Sequence, residues 1–369
     1  MSDNIFKICL TGGGTGGSVS PLLAIVDDLR ARKQPDIKYD FYWLGTNSGP
    51  EKEMVAKEKI PFKAIAGGKL RRYFSWQNFL DPLKIIFGFG QSLLFLANWR
   101  PHLVISAGSY ISVPAVWAAS LLKIPIIIHQ LDVRPGLANK LMAPMAKVVT
   151  VTFEKSVLDY GAKAVWTGNP IRRYFREQCI QNNLLPARNE DRPVIMIIGG
   201  GTGAAGLNEL ISNALTRLTK HYNVIHITGK NKLSENSLKW VDKSYDYNYH
   251  HFEFLHVPDL KEAYVKAKVV ISRCGLGTLT ELCYFGKPAI LIPLPGSHQE
   301  DNAQVFAQKK AAVVLNQYEL TAEALTENLD KLIEDNYLRQ ELSERMKEVM
   351  EPGANEKILV QVDNILRIT

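Results

Sequence analysis

The feature that most constrains this chain occurs twice. Residues 6–10 form an apolar run of strand length that opens into TGGGTGGSVSP and then a helical pattern reaching about residue 32. Pro21 suits the first helical position, and Leu22, Val26 and Leu29 keep a 3–4 spacing. Residues 194–198 repeat the plan with the loop GGGTGAAG and a helix over 207–218, apolar at 207, 210, 211, 214, 215 and 218. A strand feeding a glycine-rich turn and a helix start aims backbone N–H groups and the positive dipole end at one point, which suits an anion.

Around each such unit, apolar runs alternate with helical stretches. The spacing predicts strands at 41–44, 62–65, 103–106, 124–128 and 147–152, with helices at 51–58, 83–97 and 113–122. After a break at Gly168-Asn169-Pro170 and a polar stretch through Arg192, strands follow at 194–198, 224–227, 252–255, 269–272 and 289–292. Helices at 322–334, 338–350 and 356–366 end the chain. Continuous apolar strands between helices indicate parallel sheets covered on both faces. The expected class is α/β, two tandem doubly wound Rossmann-like domains with a cleft between them. The expected boundaries are 1–168, a linker at 169–192, a second domain at 193–350, and a final helical segment at 351–369.

Residues 269–302, VVISRCGLGTLTELCYFGKPAILIPLPGSHQEDN, add a third glycine turn. They read as a buried strand, a turn over Gly275 and Gly277, a helix opening near Thr278, a second strand, and a polar loop ending in His298, Gln299 and Asn302. Glu281, one turn into that helix, could accept two hydrogen bonds from a vicinal diol such as ribose. An acid there can also serve only as a dipole partner, and glycines can serve only a turn. Three such turns in one chain favour a nucleotide.

Several classes are excluded or demoted. Gly12-x-Gly14-x-x-Gly17 matches the dinucleotide pattern, but the second strand ends Trp43-Leu44-Gly45-Thr46 without the acid that holds an adenosine ribose. Neither glycine loop carries the Gly-Lys-Ser/Thr of a P-loop, and no Asp-x-Asp pair reads as a metal–diphosphate clamp. No cofactor or metal is therefore expected. Cys9, Cys179, Cys274 and Cys283 show neither a C-x-x-C nor a His ligand pattern and read as reduced thiols in a cytosolic protein. There is no signal-peptide pattern at residues 1–13, and the most apolar window, 83–99, is broken by Gly88, Gly90, Gln91 and Ser92.

The net charge of +7 sits in one half: residues 1–170 hold 20 Lys+Arg against 12 Asp+Glu. No nucleic-acid-binding signature accompanies it. An anionic membrane surface fits better, because Lys69, Arg71, Arg72, Tyr73, Phe74, Trp76 and Phe79 mix basic and aromatic groups before the 83–97 helix. That helix itself is expected to be packed.

The ordered set GGGTGGSVSPLLAI, SAGSYISVPAVWAA, IPIIIHQLDVRPGLANK, TGNPIR, GGGTGAAGLN, SRCGLGTLTEL and HQEDNA, spanning about residues 6–310, resembles the MurG family of peptidoglycan glycosyltransferases. The resemblance implies a GT-B fold whose last helix returns to the first domain. It also implies an inverting transfer of N-acetylglucosamine (GlcNAc) from UDP-GlcNAc to a polyprenyl-diphosphate-linked muramyl-pentapeptide, at the cytoplasmic membrane face.

By the same resemblance, Thr15, Gly16, Gly17, Asp132, Arg172, Gly201, Thr202, Val257, Gln299 and Glu281 would bind the donor, with Leu276, Gly277, Thr278, Leu279 and Thr280 lining its phosphate–ribose site. Gly13, Gly14 and Tyr110 would meet the acceptor diphosphate. The family loop ends in a His where this chain has Ser18, and its His-Glu-x-Asn is His129-Gln130-Leu131-Asp132 here. The second glycine loop carries Gly201 where the family has Ser. A serine is too weak a base unaided, so the base stays open among Ser18, His129 and Asp132. Two other readings remain: a UDP-sugar transferase acting on another lipid such as diacylglycerol, and a catalytically silent sugar-nucleotide-binding protein.

Overall fold

A computed structural model describes residues 4–34, 36–68, 77–177, 192–200, 204–233 and 248–368, with the side chains of 77–80 left aside. The chain divides into two compact units. The first comprises residues 1–173 and 350–369, the second 174–349.

The first unit is built on strands β1 (Asn4–Thr11), β2 (Ile37–Gly45), β3 (Phe62–Ala64), β4 (Leu103–Ser106), β5 (Ile126–Gln130), β6 (Val148–Val151) and β7 (Ala164–Trp166). They form one parallel sheet in the order β3-β2-β1-β4-β5-β6-β7. Its helices are α1 (Ser20–Ala31), α2 (Glu51–Lys57), α3 (Gln77–Trp99), α4 (Ser112–Leu121) and α5 (Leu137–Met142). One face of the sheet is sealed by Leu22, Val26 and Leu29 of α1, the other by Leu96 of α3 and Val116 of α4. Burial on both faces explains why β4 and β5 read as unbroken apolar runs.

The second unit repeats the plan after α6 (Arg173–Arg176), which straddles the boundary. Strands β8 (Val194–Ile198), β9 (Asn223–Ile227), β10 (Tyr249–Phe252), β11 (Val269–Ser272), β12 (Ala289–Leu291) and β13 (Val313–Val314) form a parallel sheet in the order β10-β9-β8-β11-β12-β13. Its helices are α7 (Ala205–His221), α8 (Val257–Lys266), α9 (Leu276–Phe285), α10 (His298–Gln308), α11 (Ala322–Glu334) and α12 (Asn336–Lys347).

The closing helix, α13 (Ala354–Leu366), belongs to the first unit. Ile358, Leu359 and Val362 enter the core around α1, and Arg32 pairs with Asp363 at 2.6 and 2.8 Å.

The differences from the sequence reading have local causes. The strand expected at 252–255 lies at Tyr249–Phe252, because Tyr249 pairs with Val224 of β9. The segment read as a polar loop ending in His298, Gln299 and Asn302 is the start of α10, where Ser297 caps the helix by accepting from the Gln299 N–H. Polar first turns are what a capped N-terminus favours, and they mask the helix from a hydrophobic-period reading. The helix carrying Glu281 opens at Leu276, two residues before the expected Thr278.

Candidate functional site

In both sheets the strand order reverses at the first strand: β1 lies between β2 and β4, and β8 between β9 and β11. Loops at such a reversal diverge to opposite faces and leave a crevice beyond the strand ends, where doubly wound sheets bind ligands. All three glycine turns stand at these two points. The first follows β1, the second follows β8, and the third follows β11.

At the first point, Gly14 is left-handed (φ 79°), and a Cβ there would lie 3.5 Å from the Tyr110 ring and 3.7 Å from the Ser109 hydroxyl. The structure thus brings the β1 loop, with Gly13 and Gly14, against the β4 loop that carries Tyr110. Ser109 itself holds φ 80°, a region costly to a side-chain-bearing residue. Thr15, Gly16 and Gly17 follow into a short 3-10 turn, Gly16–Ser18, that leads into α1.

The three candidates for the base have different surroundings. Ser18 is buried and turns its hydroxyl inward, donating to the carbonyl of Gly13 (3.2 Å) or Thr15 (3.3 Å). It closes the glycine loop and is not poised as a base. His129, next to last in β5, is fully buried, with Nδ1 2.9 Å from Thr150 Oγ1 and Nε2 2.8 Å from Asn169 Oδ1. Burial holds its pKa down, to about 4. His129 is therefore a neutral core histidine, which corrects the expectation that it could be the base. Asp132 is half-buried on the loop after β5.

Gln130 and Asn139 fix that loop. Gln130 donates to the carbonyls of Asp132 (2.6 Å) and Arg134 (3.3 Å), while its oxygen accepts from Asn139 (2.6 Å) and the Tyr160 hydroxyl (2.7 Å). Asn139 in turn packs against Gly108, which precedes Ser109 and Tyr110. The backbone of Asp132 is thereby tied, through two side chains, to the loop beside Gly14.

Arg172 departs from expectation. Its guanidinium meets Asp27 at 2.6 Å and Glu58 at 2.5 Å inside the first unit. Two carboxylates engage its Nε and Nη2, so the guanidinium expected to face the UDP phosphates is held in an internal ion pair.

In the second unit, Glu281 lies on α9, with Oε2 accepting from the Tyr264 hydroxyl of α8 at 2.7 Å. Burial raises its pKa to about 7, and the Tyr264 hydrogen bond acts against that rise. Gly275 and Gly277 have neither positive φ nor a close neighbour, since a Cβ on either would meet nothing within 4 Å. Neither conformation nor packing requires glycine at these two positions; they keep open space at the start of α9.

Leu279 is fully buried with its N–H donating to the Gly275 carbonyl, and the Thr280 hydroxyl donates to the Leu276 carbonyl at 2.8 Å, so the N–H groups open to a ligand belong to the residues before them. The side chain of Thr278 is also buried. Val257 is the first residue of α8, where an N–H has no intrahelical acceptor. Gln299 Oε1 accepts from the N–H groups of Cys274 (3.2 Å) and Leu294 (3.1 Å), which leaves its amide nitrogen as the group able to donate.

Gly201 and Thr202 lie outside the described residues, as do Lys69, Arg71, Arg72, Tyr73, Phe74, Trp76 and the Phe79 side chain. The α3 helix was expected to be packed, and only one face is. Ser92 and Leu96 are buried, whereas Leu83, Ile86, Phe87 and Leu94 are each at least 63% exposed.

Two residues escaped the sequence reading. Arg273, directly after β11, is 3% exposed and donates to the carbonyls of Ile292 (3.0 Å) and Pro293 (3.1 Å), with its Nη2 beside Gly206 in the first turn of α7. A cation set immediately after a fully buried strand, VVIS, was the available signal. Glu51, read only as the start of a helix over 51–58, is fully buried beneath the first glycine loop.

Fold and loops together define a two-domain protein of the GT-B type, built of two Rossmann-like units with glycine turns at their sheet reversals. Residues 8–151 match the glycosyltransferase family 28 N-terminal domain and residues 194–358 the family 28 C-terminal domain. The UDP-N-acetylglucosamine–N-acetylmuramyl-(pentapeptide) pyrophosphoryl-undecaprenol N-acetylglucosamine transferase of Clostridium kluyveri is 38% identical over 88% of this chain and 91% of its own length. The Clostridium botulinum protein of that name is 38% identical over 89% and 91%.

The crystal structure of Acinetobacter baumannii MurG superposes with a TM-score of 0.72 at 26% identity, covering 97% of this chain and 99% of that one. A Neisseria meningitidis UDP-GlcNAc 2-epimerase (TM-score 0.68, 15% identity, 97% and 99% covered) shares the fold. The chain belongs to the MurG family of glycosyltransferases.

Proposed function

We propose that the protein transfers GlcNAc from UDP-GlcNAc to a polyprenyl-diphosphate-linked N-acetylmuramyl-pentapeptide with inversion at the anomeric carbon. The observation that carries this reading is the 38% identity over nearly the whole chain to transferases of that name. The glycine turns at both sheet reversals support it. The second unit would take the donor, with uracil on the Val257 backbone, ribose on Glu281, sugar hydroxyls on Gln299, and phosphates at the turns around Gly277 and Thr202. By the family resemblance, Thr15, Gly16 and Gly17 of the first glycine loop would also meet a diphosphate. Arg273 adds a buried positive charge at the β11 turn, so the scheme needs no resident metal. Gly13, Gly14 and Tyr110 would receive the acceptor diphosphate.

With Ser18 turned inward and His129 buried, the base falls to Asp132. Its carboxylate takes the proton of the acceptor hydroxyl as that oxygen bonds to the anomeric carbon. The bond from that carbon to the β-phosphate oxygen breaks, and its electron pair leaves with UDP. Backbone N–H groups at helix starts stabilise the departing charge.

The exposed apolar face of α3 supports work at a membrane's inner surface, and no described helix is long and apolar enough to cross a bilayer. The test is UDP release by the purified protein with UDP-GlcNAc and either lipid-linked muramyl-pentapeptide or diacylglycerol. Release with the first alone is expected. Release with diacylglycerol alone, or UDP binding without release, would overturn the reading.

A further inference from the structure

Glu51 is a fully buried acid in the first turn of α2, and its carboxylate is held by three donors. Oε2 accepts from the Gly14 N–H at 3.0 Å, while Oε1 accepts from the Thr46 N–H at 2.8 Å and from the Thr46 hydroxyl. The Thr46 oxygen accepts in turn from the Gly49 N–H at 2.8 Å.

The chain makes room for this one side chain. A Cβ on Gly13 or on Gly49 would collide with the carboxylate; one on Gly45 would meet the Phe62 ring at 2.9 Å and the Glu51 Cγ at 3.2 Å. Two glycines, from the β1 loop and the β2–α2 loop, thus leave room for a buried carboxylate. Leaving an acid inside a fold is costly unless its hydrogen bonds are met, so the arrangement points to a requirement at the atoms it holds.

The atom it holds in the glycine loop is the nitrogen of Gly14, the left-handed residue packed against Tyr110 and Ser109. With that N–H drawn inward, the orientation of the Gly13–Gly14 peptide group is fixed.

We propose that Glu51 is a positioning residue for the acceptor: by anchoring Gly14 it sets the shape of the loop that receives the acceptor diphosphate. The proposal rests on the reading of Gly13, Gly14 and Tyr110 as the acceptor-diphosphate site. Glu51 acts as an internal anion behind the loop, and the loop presents its outer face to the substrate's anion. Glu51→Gln keeps the volume of the side chain; its oxygen keeps more bonds facing the two Thr46 donors, which turns the NH2 group toward the Gly14 N–H and breaks that bond.

The experiment is steady-state UDP release by the full chain, varying lipid-linked muramyl-pentapeptide and UDP-GlcNAc separately. Glu51→Gln is expected to raise the acceptor KM at least tenfold and to leave the UDP-GlcNAc KM within twofold. Thr46→Val removes the hydroxyl partner but spares the Gly14 bond; it should lower the melting temperature without moving the acceptor KM. Gly14→Ala strains the same left-handed residue without touching the buried carboxylate, and it should raise the acceptor KM even if Glu51→Gln does not fold.

An unchanged acceptor KM in folded Glu51→Gln overturns the proposal. So does an unchanged acceptor KM in Gly14→Ala, or a tenfold rise in Thr46→Val, which would reduce the effect to lost stability. Failure of the unmodified protein to turn over this acceptor would instead sink the functional reading itself.

Discussion

Donor affinity should depend on pH through Glu281. Its carboxyl has a pKa raised to about 7 by burial, and a ribose diol would donate hydrogen bonds to the charged form. Only the carboxylate can accept from both hydroxyls at once while also accepting from Tyr264. Below the raised pKa the proton must leave before the diol binds, so affinity falls as pH drops. For a pKa near 7 the apparent Kd at pH 6 is roughly elevenfold above its high-pH plateau, and at pH 8 only about 1.1-fold above it, a difference of about 1.4 kcal/mol.

Calorimetric titration with UDP-GlcNAc checks this, because its diphosphate diester does not change charge over that range. Glu281→Gln should bind more weakly and lose the pH slope. Tyr264→Phe removes the hydrogen bond that favours the charged form, so the inflection should move to higher pH. Folding stability responds with the opposite sign. Between the ordinary glutamate pKa and about 7 the native state holds this proton more tightly than the unfolded chain, so the contribution of Glu281 to stability declines as pH rises. A flat wild-type affinity from pH 6 to 8, or a slope surviving in Glu281→Gln, refutes the reasoning.

Replacing Asp132 by Asn should lower kcat by about 10²–10⁴-fold, the usual contribution of a general base; near-normal single-turnover rates would remove it from that role. Arg172→Met should destabilise the first unit by about 1.5–3 kcal/mol, as expected for lost hydrogen bonds between charged groups. It should leave UDP affinity unchanged, and denaturant melts beside UDP titrations separate the two effects. His129→Leu leaves Thr150 and Asn169 without their ring partner and should cost about 1–3 kcal/mol of stability, while turnover per folded molecule stays normal. Exchanging Ile86 and Phe87 for Glu on the exposed face of α3 should weaken sedimentation with anionic vesicles, with activity toward detergent-dispersed acceptor retained.

The sequence by itself determined the two α/β units and the three glycine turns. Strand runs, helical spacing and turn chemistry are properties of a dozen neighbouring residues, so 103–106, 194–198 and 269–272 could be read as strands from their own composition. What it could not supply was the pairing of residues far apart along the chain. Glu51 reaches Gly14 across 37 residues because β2 lies beside β1, and Arg172 reaches Asp27 across 145 because the end of the first unit returns to α1.

His129 shows the same limit in reverse. From the sequence it had the place of a catalytic base, and only the strand pairing that set Thr150 beside it, with Asn169 at its other nitrogen, made it a core residue. Burial and partner choice follow from strand order, and strand order is settled by the packing of the whole unit, which no local window of sequence contains.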